Sequence, residues 1–180
     1  TGGSDGLGRA LAEKCIGKYN TVILSNDLEQ TQRTAKEIGC GFVVADVCNY
    51  KEIEKAVLEI LQKNGGIDIV VNNAGVWIEG WLEKTDPSRI EKVMNVNALG
   101  VIFVTRAVLS HMKTRGAGRI VNVNSEDGRI VKKDHSVYCA SKWAVTGFTK
   151  ALELDLAGSG ISIDSYYPGP IKTNIFKKAG

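Results

Sequence analysis

The sequence opens with Thr1-Gly2-Gly3-Ser4-Asp5-Gly6-Leu7-Gly8, a glycine-rich stretch that leads directly into a helical pattern. Glycine adopts positive φ angles and lets a ligand approach the backbone closely. The apolar residues Leu7, Leu11 and Cys15 recur at helical spacing, so the stretch is predicted to end at a helix N-terminus. Free N–H groups and the helix dipole favour an anion there. The G-x-x-x-G-x-G spacing differs from the common G-x-G-x-x-G dinucleotide fingerprint, so a flexible start of the chain remains an alternative.

The rest of the chain alternates short apolar runs with helical patterns. The predicted strands cover 22–24, 42–45, 67–71, 119–123 and 161–165, and the predicted helices cover 28–38, 50–63, 87–112 with an interruption near Asn95 to Asn97, and 137–157. Such alternation predicts an α/β fold with a parallel sheet, right-handed crossovers and helices on both faces. We therefore expect one domain, 1–180, with a three-layer, doubly wound, Rossmann-like sheet.

Composition excludes several functional classes. The chain has 180 residues, 43% hydrophobic and 24% charged, with a formal net charge of +3, which argues against a dedicated nucleic-acid binder. No run of eighteen apolar residues and no signal-peptide pattern is visible, so we expect neither membrane insertion nor secretion. The four cysteines lack C-x-x-C spacing and only two histidines are present, so we expect no metal site and a cytoplasmic location.

Polar residues cluster where the predicted strands end: Asn26-Asp27, Asp46, Asn72-Asn73, Ser125 and Pro168-Gly169. In open parallel sheets, ligands bind beyond the carboxyl ends of the strands. The clusters are therefore predicted to meet at one ligand site.

Tyr138-Cys139-Ala140-Ser141-Lys142 places a phenol and an ammonium four residues apart in a predicted helix. Side chains at this spacing lie on one helix face, and a nearby cation lowers the pKa of a tyrosine. We predict that Lys142 brings the pKa of Tyr138 toward the range of a general acid/base. Without the other motifs, Tyr138 could equally be an aromatic residue that faces the core and Lys142 a charge that faces solvent.

Taken in order, these motifs resemble the short-chain dehydrogenase/reductase family over nearly the whole chain, from Thr1 to about Thr173. The resemblance implies an NAD(P)-dependent oxidoreductase that transfers hydride between a nicotinamide and a carbonyl or secondary alcohol. It implies that Tyr138 is the general acid/base, that Ser125 hydrogen-bonds the same substrate oxygen, and that Lys142 lowers the Tyr pKa and binds the nicotinamide ribose. Asn97 would hold a water in a proton relay. The cofactor contacts implied are Gly2, Ser4, Asp5, Gly6, Leu7, Gly8, Asn26, Asp27, Asp46, Val47, Asn73, Ala74, Gly75, Tyr138, Lys142, Pro168, Gly169 and Thr173. For Asp46, a helix N-cap role is the competing interpretation.

The resemblance bears on the choice of cofactor. Members that bind NADP place Arg or Lys beside the adenosine ribose, where this chain has Asp5 and Asn26-Asp27. Carboxylates repel a 2′-phosphate and accept a hydrogen bond from a free 2′-hydroxyl, so we expect NAD(H) to be favoured over NADP(H). Arg9 is the side chain that could reverse this preference.

Two features depart from the family pattern. Members have a strand before the glycine loop and continue beyond Pro168-Gly169 into a segment that covers the substrate, so we expect this sequence to be part of a longer chain. The substrate stays open. Trp77, Trp81 and Trp143 could line an apolar pocket or pack in the core, and Arg129, Lys132 and Lys133 could attract an acidic carrier, which keeps a 3-ketoacyl-carrier-protein reductase as a narrower alternative.

A catalytically inactive dinucleotide sensor or scaffold of the same fold is the alternative from another class. The resemblance also implies a homodimer or homotetramer, formed through helices 87–112 and 137–157. These helices carry too many apolar residues to assign all of them to one narrow core-facing stripe: Val101, Phe103, Val104, Val108, Phe148 and Leu152.

Overall fold

The computed structural model describes residues 1–171 and 173 and contains five strands and six α-helices in that part of the chain. The strands are β1 (Val22–Ser25), β2 (Gly41–Val44), β3 (Ile69–Asn72), β4 (Gly118–Val123) and β5 (Ile161–Tyr166). The helices are α1 (Gly6–Cys15), α2 (Leu28–Ile38), α3 (Tyr50–Asn64), α4 (Pro87–Met94), α5 (Gly100–Arg115) and α6 (Ser136–Asp155). The predicted alternation of strands and helices is confirmed.

Every strand pair is parallel. Strand β1 pairs with β2, and β4 lies between β3 and β5, with Ile120 opposite both Val70 and Ile163. The first residues of the chain lie between these two groups of strands. Gly3 N–H donates to the Leu24 carbonyl at 3.3 Å, and the Thr1 nitrogen donates to the Val71 carbonyl at 2.7 Å. The glycine stretch therefore begins between β1 and β3 and runs from there into α1.

Strand β1 shows how the layers arise. Successive side chains of a strand point to opposite faces of the sheet. Ile23 packs with Ala12 of α1 and Ala35 of α2, whereas Leu24 joins a core that includes Ile53 of α3. Helices thus cover both faces, as the predicted three-layer arrangement requires.

Local sequence signals fix the ends of α2 and α3. Asp27 caps α2 by accepting from Gln30 N–H, and Gly39 ends it with a φ of 74°. Asn49 caps α3, and Gly65 ends that helix with a φ of 76°. These are the residue types that favour helix starts and left-handed C-terminal caps.

The interruption predicted near Asn95 to Asn97 is a π-helical segment, Asn95–Leu99, between α4 and α5. Such segments are inserted turns that often accompany functional sites. The whole stretch Pro87–Arg115 meets the length and hydropathy of a membrane span, with a mean hydropathy of 1.6 over its most apolar window and 44% of that window buried inside the protein. In this fold Val104, Val108 and Met112 of that stretch belong to the main core.

The apolar residues that were expected to form an oligomer interface are mostly used inside the domain, which corrects that expectation. Val101, Val104 and Val108 are 5%, 4% and 1% exposed, and Val104 and Val108 belong to the main core. Phe148 and Leu152 pack partly against the same core. These five residues are thus accounted for within the domain, and the apolar count does not by itself require a partner.

Candidate active site

A cleft of about 670 Å³ runs along the carboxyl ends of the strands. One end is formed by the glycine stretch and the ends of β1 and β2, and the other by Ser125, Tyr138 and Lys142. Most of the residues implied for cofactor and catalysis line it: Gly2, Ser4, Asp5, Gly6, Leu7, Asn26, Asp46, Val47, Asn73, Ala74, Gly75, Ser125, Tyr138, Lys142, Pro168, Gly169 and Thr173. At least one residue of each polar cluster that the sequence placed at a strand end therefore lines this cavity.

The glycine stretch is tightly packed against the segment after β3. Gly2 and Gly6 have φ angles of 61° and 54°, which glycine adopts without strain. Gly8 lies behind the loop, where a β-carbon would come within 2.2 Å of the Gly2 carbonyl oxygen and 2.5 Å of Asn73 Nδ2. The loop thus requires glycine at these positions, and it presents its backbone to the cleft at the N-terminus of α1. This cradle fits the phosphates of a dinucleotide.

Asn73 braces the loop. Its Nδ2 donates to the carbonyls of Thr1 and Gly2 at 3.0 and 3.3 Å, and its backbone N–H donates to Thr1 Oγ1 at 3.0 Å. Asn72 is 2% exposed and donates to Thr105 and Asn122. The two side chains hold the strand ends together. Ala74 and Gly75, which follow them, line the cleft.

Asp46 and Val47 follow β2 and reach the cleft. Asp46 Oδ1 accepts from Cys48 N–H at 2.9 Å in a tight turn. The N-cap of α3 is Asn49 and not Asp46, so the competing interpretation of Asp46 as a helix cap is wrong.

Asn26 and Asp27 separate at the end of β1. Asn26 lines the main cleft, whereas Asp27 lines a neighbouring cavity of about 520 Å³ together with Asp5, Arg9 and Arg33. Asp27 Oδ1 is engaged as the cap of α2. Arg9 forms ion pairs of 2.9 Å with Glu13 and with Glu37, so its charge is directed at two carboxylates.

Ser125 and Tyr138 come together from different elements. Ser125 follows β4 with extended backbone, and its hydroxyl accepts from Asp127 N–H at 3.2 Å. Tyr138 lies in the first turn of α6, is 6% exposed, and packs edge-on against Trp77 with ring centroids 4.4 Å apart. The Ser125 hydroxyl acts on the phenol strongly enough to oppose the increase of its pKa, and both side chains line the cleft. The phenol is thus a buried, oriented group beside a second hydroxyl.

The predicted effect of Lys142 on Tyr138 needs a correction. Burial raises the pKa of Tyr138 to about 12, the hydrogen bond from Ser125 opposes this, and the negative charge of Asp127 adds to the increase. Lys142 is itself buried, and burial lowers the pKa of its ammonium to about 8. Its Nζ donates to the Val123 carbonyl at 3.3 Å and lies 5.7 Å from the Tyr138 ring centroid. Desolvation therefore dominates the pKa of the phenol.

Asn97 lies in the π-helical segment and is 1% exposed. Its Nδ2 donates to the Val76 carbonyl and to Ser141 Oγ, at 2.9 and 3.1 Å, and its Oδ1 accepts from Val76 N–H at 2.8 Å. The side chain holds the segment after β3 to α6, and it does not line the cleft. Its implied role in a proton relay stays a prediction.

The loop between Ser125 and Tyr138 holds groups that the sequence analysis did not single out. Asp127 and His135 form a pair of 3.1 Å at the edge of the cleft, and Glu79 lies across from them. His135 precedes Tyr138 by three residues, one helical turn, and that spacing was the available signal. Among the described residues, no group of His, Cys, Asp and Glu is arranged to hold a metal ion.

The basic residues of this loop have local partners. Lys132 pairs with Glu126 and, at 3.3 Å, with Asp127. The guanidinium of Arg129 stacks 3.8 Å from the Tyr167 ring. The charge of Lys132 is compensated by two carboxylates, which weakens the expectation that this residue attracts an acidic carrier. Trp77 lines the cleft, whereas Trp81 and Trp143 are 56% and 46% exposed.

Comparison with known proteins connects this geometry to a family. The family described as short chain dehydrogenase matches residues 1–180. The 2-(R)-hydroxypropyl-CoM dehydrogenase of Xanthobacter autotrophicus is 36% identical over 96% of this chain and 73% of its own length. The 3-ketodihydrosphingosine reductase of Mus musculus is 31% identical over 93% of this chain and 54% of its own length.

A solved structure gives the same result in three dimensions. Gluconate 5-dehydrogenase from Burkholderia cenocepacia, crystallised with NADP and tartrate, superposes with a TM-score of 0.93 at 30% identity, over 99% of this chain and 72% of that one. The chain thus spans between about half and three quarters of the length of these proteins. With the fold, the glycine cradle and the Ser125–Tyr138–Lys142 cluster in place, the chain belongs to the short-chain dehydrogenase family of oxidoreductases.

Proposed function

We propose that the protein transfers a hydride between a nicotinamide dinucleotide and a carbonyl or secondary alcohol. One observation carries this proposal. Ser125 and Tyr138 line one end of a cleft whose other end is a glycine cradle at a helix N-terminus. The named relatives are a dehydrogenase and a reductase, which agrees with chemistry at an alcohol or ketone carbon.

The residues divide the work by position. The Gly2–Gly8 stretch would hold the pyrophosphate, residues Asn26, Asp46 and Val47 the adenosine side, and Lys142 the nicotinamide ribose. The nicotinamide, when bound, supplies or accepts the hydride. In the reducing direction Tyr138 donates its proton to the substrate oxygen, and Ser125 donates a second hydrogen bond to it as charge develops there. In the oxidising direction Tyr138 accepts that proton. The walls of Trp77, Ile78 and Val93 around the phenol exclude water.

Turnover by the full-length protein, measured over a panel of ketones and alcohols, tests the proposal. We expect reduced nicotinamide to be consumed with ketones and formed with secondary alcohols. Saturable dinucleotide binding without turnover of any compound would instead identify a sensor or scaffold. The intact cluster of Ser125, Tyr138 and Lys142 in one cleft favours the enzyme.

For the cofactor, we propose NAD(H) over NADP(H). The carboxylates of Asp5 and Asp27 line the cavity beside the adenosine end, and Arg9 is paired with Glu13 and Glu37. Two observations oppose this choice: Arg33 lines the same cavity, and the gluconate 5-dehydrogenase neighbour binds NADP. The ratio of kcat/KM for NADH to kcat/KM for NADPH, measured with one ketone, decides between the two cofactors. A preference for NADPH that disappears in Arg33→Ala would assign the 2′-phosphate to Arg33 and refute our choice.

A homodimer or homotetramer, a cytoplasmic location and the absence of nucleic-acid or membrane partners stay predictions. For the oligomer, the large apolar side chains exposed on α6 are Trp143 and Leu154, at 46% and 78%. Light scattering of the full-length protein at micromolar concentration measures the assembly, and a monomer there would refute the oligomer.

A further inference from the structure

Asp127 is a buried carboxylate for which the proposed hydride transfer has no use. Its side chain is 3% exposed, although it lies in the loop that borders the cleft. One oxygen is 3.3 Å from Lys132 Nζ, and the other is 3.1 Å from His135 Nδ1. A buried carboxylate is stable only when it is paired in this way, so the arrangement is a built one rather than a surface contact.

The pair with Asp127 fixes the state of the His135 ring. A carboxylate only accepts hydrogen bonds, so the proton of the neutral imidazole lies on Nδ1. The lone pair is then on Nε2. That atom is 3.9 Å from Glu79 Oε2, and both residues line the cleft. The His135 side chain is 16% exposed, so Nε2 is accessible from the cleft while the ring is held.

His135 and Tyr138 flank the same tryptophan. The Trp77 ring is 4.6 Å from the His135 ring and 4.4 Å from the Tyr138 ring, centroid to centroid, and both contacts are edge-on. His135 is the N-cap residue of α6, and Tyr138 follows three residues later. Both residues line the cleft on either side of Trp77, so a substrate whose oxygen meets Tyr138 lies in the part of the cleft that His135 also borders.

The charges around Nε2 determine which substrates fit. Three carboxylates face this part of the cleft, from Glu79, Glu126 and Asp127, and Lys132 is paired with the last two. An anionic group beside His135 would be repelled by the excess of carboxylates. A neutral hydroxyl, in contrast, has a proton to donate to the Nε2 lone pair.

We propose that His135, held by Asp127, is a substrate-binding residue that accepts a hydrogen bond from a second hydroxyl group of an uncharged hydroxyketone or diol. This rests on the proposed function and specifies its substrate class. The hydroxyl lies on a carbon close to the one that exchanges the hydride. One neutral hydrogen bond of this kind corresponds to a preference of about 3- to 10-fold in kcat/KM over the ketone without the hydroxyl.

Matched pairs of ketones test the assignment: 3-hydroxybutan-2-one with butan-2-one, and 2-hydroxycyclohexanone with cyclohexanone. The wild-type protein should favour the hydroxylated member of each pair. His135→Phe keeps a ring against Trp77 but removes Nε2, so it should lose the preference and turn over both members of a pair with equal kcat/KM. His111→Phe removes the other histidine, which lies outside the cleft, and should keep the wild-type preference. Circular dichroism verifies that both variants are folded.

The outcomes separate the two levels of the proposal. No turnover of any ketone by the wild-type protein contradicts the proposed hydride transfer. Turnover without preference for the hydroxylated ketones, or a preference that survives in His135→Phe, overturns the assignment of His135 alone. An equal fall with both members of a pair in His135→Phe would also overturn it, because that result indicates a structural role.

Discussion

Replacing Tyr138 by Phe separates the chemistry of this site from its packing. The ring contributes to a cluster with Ile78 and Val93 and to the edge contact with Trp77, and Phe preserves both. The substitution removes only the phenol hydroxyl and its interaction with the Ser125 hydroxyl. Ser125 Oγ keeps its bond from Asp127 N–H, so no buried group is left without a partner. One neutral hydrogen bond is worth about 1 kcal/mol, and the unfolding free energy should change by no more than that.

The kinetic effect should be much larger. Loss of a positioned general acid/base lowers the rate about 10²- to 10⁴-fold, or about 3 to 5 kcal/mol of transition-state stabilisation. The glycine cradle is far along the cleft and unchanged, so dinucleotide affinity should stay close to that of the wild-type protein. A variant that folds, binds cofactor and fails to turn over is the expected combination.

The assay is the initial rate of ketone reduction, followed by the absorbance of reduced nicotinamide, at saturating cofactor. Urea unfolding and a fluorescence titration with the dinucleotide supply the stability and affinity on the same samples. Trp81→Phe, at an exposed aromatic position, is the control for an aromatic substitution and should leave the rate unchanged. A Tyr138→Phe variant with near wild-type kcat would refute the role of the phenol. A drop in stability of several kcal/mol together with lost activity would show that Tyr138 acts mainly through packing.

The same geometry supports three further predictions. Burial lowers the pKa of Lys142 to about 8 from its ordinary value of 10.5, so folding is penalised by about 3 kcal/mol below pH 8, and the penalty fades as pH rises toward the pKa of the unfolded chain. Lys142→Met should therefore raise the urea midpoint at pH 7, lose that gain near pH 10, and abolish turnover. An equal change of the midpoint at both pH values would contradict the burial argument. The charge of Asp127 helps to raise the pKa of Tyr138, so Asp127→Asn should lower that pKa. The pH–rate profile of alcohol oxidation should then shift to lower pH. A shift to higher pH would show that the charge does not act on the phenol. Gly8→Ala should abolish dinucleotide binding because its β-carbon would meet the Gly2 carbonyl oxygen at 2.2 Å. The matched control Gly147→Ala has open space around it in α6, so it should bind the dinucleotide normally and gain about 0.5–1 kcal/mol of stability. Normal binding by Gly8→Ala would mean that the loop does not hold the dinucleotide phosphates.

The sequence by itself determined the elements of this protein and their order. The bounds of β1, α2 and α3 follow from the periodicity of their apolar residues and from helix caps. The caps Asp27, Gly39 and Asn49 act within a few residues of the helix ends. The interruption of the long helix at Asn95 to Asn97 was also visible, since two asparagines interrupt an apolar pattern. Because the carboxyl ends of parallel strands meet at one edge, the same local signals placed Asp46, Ser125 and Tyr138 in one cleft.

Only the tertiary structure decided the electrostatics and the partners of these groups. The i, i+4 spacing of Tyr138 and Lys142 predicted a lowered Tyr pKa, but burial of the phenol raises it, and that burial depends on packing against residues such as Trp77. The brace between Asn73 and Gly2 joins residues 71 positions apart, and the pair of Asp127 and His135 depends on how the loop folds over the start of α6. Sequence periodicity describes one element at a time, whereas desolvation and pairing depend on which elements meet.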